Sequence, residues 1–280
     1  MQGPAEPFSV AVGVALLRGD AWRSGLDRWI VLLHAGVADR RSWGAVATEM
    51  ATWADAASYD RRGFGDTAAS PEGYSHVDDL LAVLDHLDIA SCWLVGSSQG
   101  GRIAIDAALR SPERVEGLIL AAPAVSGAPP VDTYPGDVAR LVKLIDDAED
   151  AGDLDAINRH ETHLWLDGPG SPEGRVAGIA RSLTLDMNGK ALVVGDVGEE
   201  EAPTSAWERL GGISQPTLVI SGDLDLPHVQ DRARHVAAPI TAAEICQVHG
   251  TAHLPYLEQP SRFEQCVRRF INRGEQREDG

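Results

Sequence analysis

The feature that most constrains this chain is the run Leu94-Val95-Gly96-Ser97-Ser98-Gln99-Gly100-Gly101-Arg102-Ile103-Ala104-Ile105. An apolar stretch from Cys92 to Val95 enters Gly96-Ser97-Ser98-Gln99-Gly100, and Ile103, Ala104, Ala107, Ala108 and Leu109 then recur at helical spacing. The pattern predicts a strand, a sharp turn and a helix. A turn this tight crowds the residues two before and two after its apex, which is where Gly96 and Gly100 stand. Ser98 occupies the apex, so its hydroxyl would project clear of the sheet. The Gln99 N–H would lie at the positive end of the following helix, suited to a developing oxyanion. Such a serine is a candidate nucleophile; the alternative is an ordinary strand-to-helix turn with small residues for packing. Partners elsewhere in the chain decide between them.

The rest of the chain supplies a frame for that unit. Trp29-Ile30-Val31-Leu32-Leu33 is a continuous apolar run of the kind expected for a strand covered on both faces. Ser42 to Met50 reads as a helix, Ala54 to Tyr59 as the next strand, and a helix capped by Ser75 carries Val77, Leu80, Leu81, Leu84 and Leu87 on its core face. Val115 to Ala122 is a further buried strand, and Ser9 to Leu17 form one or two edge strands. Strands alternating with helices predict an α/β protein with a mostly parallel central sheet flanked by helices. From 126 to 212 that alternation stops, and the acidic, helix-prone segment reads as an inserted, mainly helical cap. It resumes with strand Thr217 to Ser221, helix Val229 to Val236, strand Ala243 to Val248 and a helix over Arg262 to Ile271. The core is thus expected over 1–125 and 213–273, with 274–280 a disordered charged tail.

At 280 residues the chain can bury a sizeable core, and 42 acidic against 24 basic residues give a net charge of -18. A polyanionic surface disfavours phosphate backbones and anionic membranes, so no nucleic-acid or membrane partner is expected. Cys92, Cys246 and Cys266 are odd in number, and Cys92 and Cys246 fall in apolar runs. Buried thiols in a reducing, cytoplasmic compartment follow as the expectation. No secretory signal and no run long enough to span a bilayer is visible.

Ligands and reactive groups gather beyond the carboxyl ends of strands in such sheets. Strand Thr217 to Ser221 empties into Gly222-Asp223-Leu224-Asp225-Leu226-Pro227, and strand Ala243 to Val248 into His249-Gly250-Thr251-Ala252-His253-Leu254-Pro255. One loop offers carboxylates and the other imidazoles, and serine, acid, histidine is the chain order associated with this architecture. Four further segments strengthen the match: His34-Ala35-Gly36 followed by Trp43, Asp60-Arg61-Arg62-Gly63-Phe64-Gly65, Gly222-Asp223-Leu224-Asp225, and His253-Leu254-Pro255-Tyr256-Leu257-Glu258-Gln259-Pro260. With the Ser98 unit they resemble the α/β-hydrolase superfamily, of the capped, serine-nucleophile type, from about residue 30 to 260.

The resemblance implies roles for matching positions. His253 would be the general base toward Ser98, and Asp225 would orient its ring. The backbone N–H groups of Gly36 and Gln99 would form an oxyanion hole. Asp223 and His249 are the rival acid and base. His34, Trp165 and Leu226 are expected to border the substrate pocket, with His34 ordering its loop rather than carrying a proton. Asp60, Arg62 and Glu258 read as loop-bracing ion pairs. The family has Gly where this chain has Ala35, which narrows the backbone freedom of the oxyanion loop. His160, Glu161, His163 and Trp165 lack a convincing third ligand, so no metal and no cofactor is expected. Arg102 reads as a surface or helix-dipole residue, able to meet a carboxylate if turned inward.

A serine nucleophile excludes the aspartate-nucleophile reactions of the superfamily. The expected activity is hydrolysis of a small-molecule carboxylic ester or lactone through an acyl-serine intermediate. C–C bond hydrolysis, elimination or cofactor-free perhydrolysis on the same triad are the alternatives, with Arg102 and Arg181 as hints of a carboxylated substrate. A non-catalytic binding protein is the remaining alternative, disfavoured by the complete serine, acid and histidine set.

Overall fold

The computed structural model describes residues 5–201 and 205–278, the last five by backbone alone. Eight strands form one sheet among the described residues, in the order β1-β2-β4-β3-β5-β6-β7-β8. They are β1 (Glu6–Val12), β2 (Ala15–Trp22), β3 (Trp29–Leu33), β4 (Asp55–Tyr59), β5 (Cys92–Ser97), β6 (Val115–Ala121), β7 (Thr217–Gly222) and β8 (Ala243–Val248). The β1–β2 hairpin and the β2–β4 pairing are antiparallel, and every other pairing is parallel. The α/β class expected from the alternation holds.

Successive strand residues divide between two cores, as the pleat requires. Val31, Leu33, Leu94, Leu118, Leu120 and Val219 face one layer; Ile30, Leu32, Val95, Ile119, Ile220 and Leu218 face the other. The first layer is covered by α2 (His76–His86), α3 (Gln99–Arg110) and α7 (Pro227–Ala237), the second by α1 (Gly44–Met50) and α9 (Pro260–Glu278). The helix expected from Ser42 begins earlier, as a 3-10 turn over Arg40–Trp43 whose Arg41 N–H is accepted by the Asp39 carboxylate at 2.9 Å. α2 starts where the Ser75 hydroxyl caps the Asp78 N–H.

Between β6 and β7 the chain places α4 (Gly136–Ala151), α5 (Leu154–Thr162) continuing into a π turn over His163–Asp167, and α6 (Ile179–Leu192). A last short helix, α8 (Pro255–Glu258), follows the His253 turn. Residues 202–204, within the expected cap, lie outside the described residues. One expectation is corrected at the C-terminus: α9 runs to Glu278, taking in most of the segment expected to be a disordered tail. Glu, Gln and Arg are polar but are good helix formers, so a charged run can extend a helix already packed at its start. Residues 279 and 280 lie outside the described set. No described helix is long and apolar enough to cross a membrane.

Candidate active site

The turn between β5 and α3 is built as the glycine spacing demands. Ser98 adopts φ 50° and ψ -111°, a conformation costly for a residue with a Cβ. It is held there by three backbone bonds: its N–H donates to Ala121 O at 2.9 Å, and its carbonyl accepts from Arg102 N at 3.1 Å and Ala124 N at 3.0 Å. A Cβ on Gly96 would run into the Gly100 carbonyl, and one on Gly100 into the Leu33 carbonyl. Both obstacles are backbone and cannot swing aside. The resulting half-buried Ser98 stands at the carboxyl edge of the sheet.

His253 and Asp225 meet beside that edge. His253 Nδ1 and Asp225 Oδ2 are 2.9 Å apart, and Asp225 Oδ1 accepts the Leu226 N–H at 2.7 Å. Both side chains are almost wholly buried. A carboxylate accepting at Nδ1 fixes the proton there and leaves Nε2 with its lone pair. The Trp165 ring packs against the imidazole with centroids 4.6 Å apart, and the Trp165 carbonyl accepts the His253 N–H at 3.2 Å.

The rival pair has a separate arrangement. His249 Nδ1 lies 3.0 Å from Asp223 Oδ2, and Asp223 Oδ1 accepts the Gly250 N–H at 2.6 Å. His249 is 64% exposed, so this pair ties the β7 and β8 loops together at the surface.

The loop expected to form the oxyanion hole is set by one carbonyl. Ala35 O accepts from His34 Nδ1 at 2.8 Å, Arg61 Nη2 at 3.2 Å and Ala38 N at 3.3 Å. In a trans peptide the C=O and the following N–H point in opposite directions, so fixing the Ala35 carbonyl inward turns the Gly36 N–H outward. Gly36 faces Gln99: a Cβ added to it would lie 3.6 Å from Gln99 Cγ. The Gln99 N–H, first in α3, has no intrahelical acceptor. Neither Ala35 nor Gly36 takes positive φ, so alanine costs the loop nothing here.

His34 departs from the expected pocket position. It has no exposed surface, and its Nε2 accepts the Arg61 N–H at 3.1 Å. Burial and the nearby Arg61 hold its pKa well below the usual imidazole value, so it braces the loop as a neutral ring. Leu226 likewise packs in the seam between insert and core, with Val138, Leu141 and Leu164 on one side and Ala122 and Val229 on the other. Trp165 is half-buried beside His253. A cavity of about 500 Å³ opens where the start of α4 meets the acid loop, bordered by Pro135, Val138, Leu224, Asp225 and Pro227.

Sequence reasoning gave Arg61 no role. It is buried, and desolvation lowers its pKa to about 10. Its guanidinium lies over the Phe64 ring at 4.5 Å. The motif around it was visible, but spacing carries no information about which carbonyl a long side chain reaches. Arg62 pairs with Asp79 at 2.9 Å and with Glu72, Asp60 with Arg40, and Glu258 with Arg175. Arg102 is turned inward, contrary to its surface reading, because Glu200 meets it through two bonds of 2.9 Å and Gln99 Oε1 through one of 3.1 Å. Arg181 is held by Asp167 at 2.6 Å. His163 Nε2 lies 2.9 Å from Ser171 O and Glu161 accepts from Asn188 at 2.7 Å, and no described His, Cys, Asp and Glu side chains form a metal-binding group.

Comparison with known proteins agrees with this architecture. Residues 30–265 match the model of the alpha/beta hydrolase family. The chain is 31% identical over 278 residues to the 2-hydroxymuconate semialdehyde hydrolase of Pseudomonas sp. (strain CF600), covering 94% of this chain and 92% of that protein. It is 25% identical over 248 residues to the pimeloyl-[acyl-carrier protein] methyl ester esterase of Nitrosospira multiformis, covering 86% and 93%. The crystal structure of the enol-lactonase from Burkholderia xenovorans LB400 superposes with a TM-score of 0.73 at 22% identity, covering 94% of this chain and 99% of that one. The chain therefore belongs to the alpha/beta hydrolase family.

Proposed function

We propose that the protein hydrolyses a small carboxylic ester or lactone through an acyl–Ser98 intermediate. The observations that support the reading are the buried Asp225–His253 pair at 2.9 Å and a serine held at φ 50°, carried by loops that leave the same carboxyl edge of the sheet. His253 Nε2 takes the Ser98 proton as Oγ attacks the carbonyl carbon, then returns it to the leaving alkoxide. Asp225 keeps its charge and stabilises the imidazolium. The N–H groups of Gly36 and Gln99 hold the oxyanion of the tetrahedral intermediate. Water, activated by the same imidazole, releases the acid. The segment between β6 and β7 acts as a cap, anchored through Val138, Leu141 and Leu164 in the seam against Leu226 and Val229 and setting the half-buried Trp165 ring against His253.

Similarity to a methyl ester esterase supports ester cleavage, while the higher identity to a 2-hydroxymuconate semialdehyde hydrolase supports C–C cleavage as the second reading. The alternatives that need a substrate carboxylate lose their motive, since Arg102 and Arg181 are both committed to protein carboxylates. The test is a screen of p-nitrophenyl esters of rising acyl length, aliphatic lactones and a vinylogous 1,5-diketone. Turnover of an ester or lactone is expected, with Ser98→Ala lowering it at least about 10³-fold. Cleavage of the diketone alone would contradict the assignment.

A further inference from the structure

Cys246 in β8 and Cys266 in α9 stand with their Sγ atoms 2.9 Å apart, closer than two sulfurs in ordinary contact. Closing that gap to the covalent distance of about 2.05 Å takes less than an ångström. Both are half-buried at the edge strand, packed against the second core, whereas Cys92 is enclosed in the first. Three thiols in the sequence conceal this pairing; only the fold brings residues 20 apart into contact.

From this contact we infer that Cys246 and Cys266 form a peroxide-reactive dithiol site that closes to an intrachain disulfide. The surroundings select Cys266 as the attacking sulfur. The hydrogen-bond contact with Cys246 favours a Cys266 thiolate most, and Arg262 and Arg269, four residues before and three after it on one helix face, add to that. These contacts lower the Cys266 pKa to about 7, while Cys246, donor to that thiolate, is raised. The Cys266 thiolate attacks one oxygen of hydrogen peroxide, the O–O bond breaks, and the other oxygen leaves as water after taking a proton. The Cys266 sulfenic acid is then attacked by the Cys246 sulfur, which loses its proton; the S–O bond breaks and a second water leaves. In sum, two thiols and one peroxide give one disulfide and two waters.

The linked segment has His253 near its middle, along with Tyr256 and Glu258. The bond therefore braces the loop that carries the candidate base while touching none of the reacting groups. The inference does not depend on the proposed activity.

The test uses the full, reduced chain exposed to a few-fold excess of hydrogen peroxide, quenched, denatured and titrated for free thiols. The count is expected to fall from three to one and to return with dithiothreitol. Peptide mapping is expected to recover Cys246 joined to Cys266, and the oxidised protein to melt about 5 °C higher. Cys92→Ser should lose two thiols like the parent. Cys246→Ser should form no intrachain link and should give a dimedone adduct on Cys266. Three surviving thiols under conditions that oxidise glutathione, or a disulfide through Cys92 or between two chains, would overturn the inference. An oxidised form with unchanged melting would overturn the bracing of the loop.

Discussion

One carbonyl oxygen carries much of the geometry at the residue scale. Ala35 O takes three donors, and the peptide it belongs to presents the Gly36 N–H on its other side. In the proposed hydrolysis Arg61 is a positioning residue acting through this loop, and Arg61→Met should lower kcat on a p-nitrophenyl ester about tenfold or more with KM within about twofold. Steady-state kinetics check it; an unchanged kcat would remove Arg61 from the account. Ser98 makes a separate prediction. Its positive φ is strained for alanine as for serine, so Ser98→Ala should leave the melting temperature nearly unchanged. Ser98→Gly should be about 1 kcal/mol more stable than Ser98→Ala in urea unfolding. The turn was legible because Gly96 and Gly100 are dictated by backbone collisions that spacing reveals. Arg61 was not, because its role depends on where a flexible side chain ends.

Among the elements, the strands and core helices were readable because burial on both faces writes apolar runs and each helix shows a single apolar stripe. Loop pairings were less so: Asp223 and Asp225 stand two residues apart in one loop, spacing alone leaves either free to meet His253, and Asp225 was preferred only on the family resemblance; in the fold Asp225 meets His253 and Asp223 meets His249. The helix-forming character of the segment between β6 and β7 was legible, but its polar ties to the rest of the chain were hidden, since each depends on where a single side chain ends. Arg175 is one of them. It donates to Asp167 O at 2.6 Å, Leu166 O at 2.7 Å and Gly250 O at 2.9 Å, and pairs with buried Glu258, whose other oxygen accepts the Ala252 N–H at 2.8 Å. Arg175→Ala strands that carboxylate and should destabilise by about 3 kcal/mol, with Glu258→Gln restoring part of the loss in a double-mutant cycle. Full additivity of the two changes would show that the pair does not tie the insert to the histidine loop. Gly100→Ala should cost more than about 2 kcal/mol, because its Cβ meets the Leu33 carbonyl; an unchanged urea midpoint would contradict the crowded turn.

Buried imidazoles shape the acid response of the whole molecule. Burial holds His34 far below its usual pKa, and burial with nearby Arg61 pushes His76 down to about 2. Below about pH 6.5 the unfolded chain binds protons that these native rings refuse, so their stabilisation is complete above that pH and is lost as pH falls. The slope is up to about 1.4 kcal/mol per pH unit for each ring. Burial raises Asp60 to about 6 and Glu258 to about 7, which works in the opposite sense over the same window. The comparison of His76→Phe with the parent isolates one ring: urea unfolding between pH 4.5 and 6.5 should give a slope lower by about one proton, and equal slopes would contradict a neutral buried His76. Ser98, Asp225 and His253 come from three loops joined only by the sheet, so their action as one catalytic set would be a property of the whole fold. Labelling with an active-site-directed fluorophosphonate, followed by peptide mapping, tests it most directly. A single adduct on Ser98 is expected, lost in His253→Ala but kept in His249→Ala; no adduct on Ser98, or one indifferent to His253, would contradict a serine activated by that histidine.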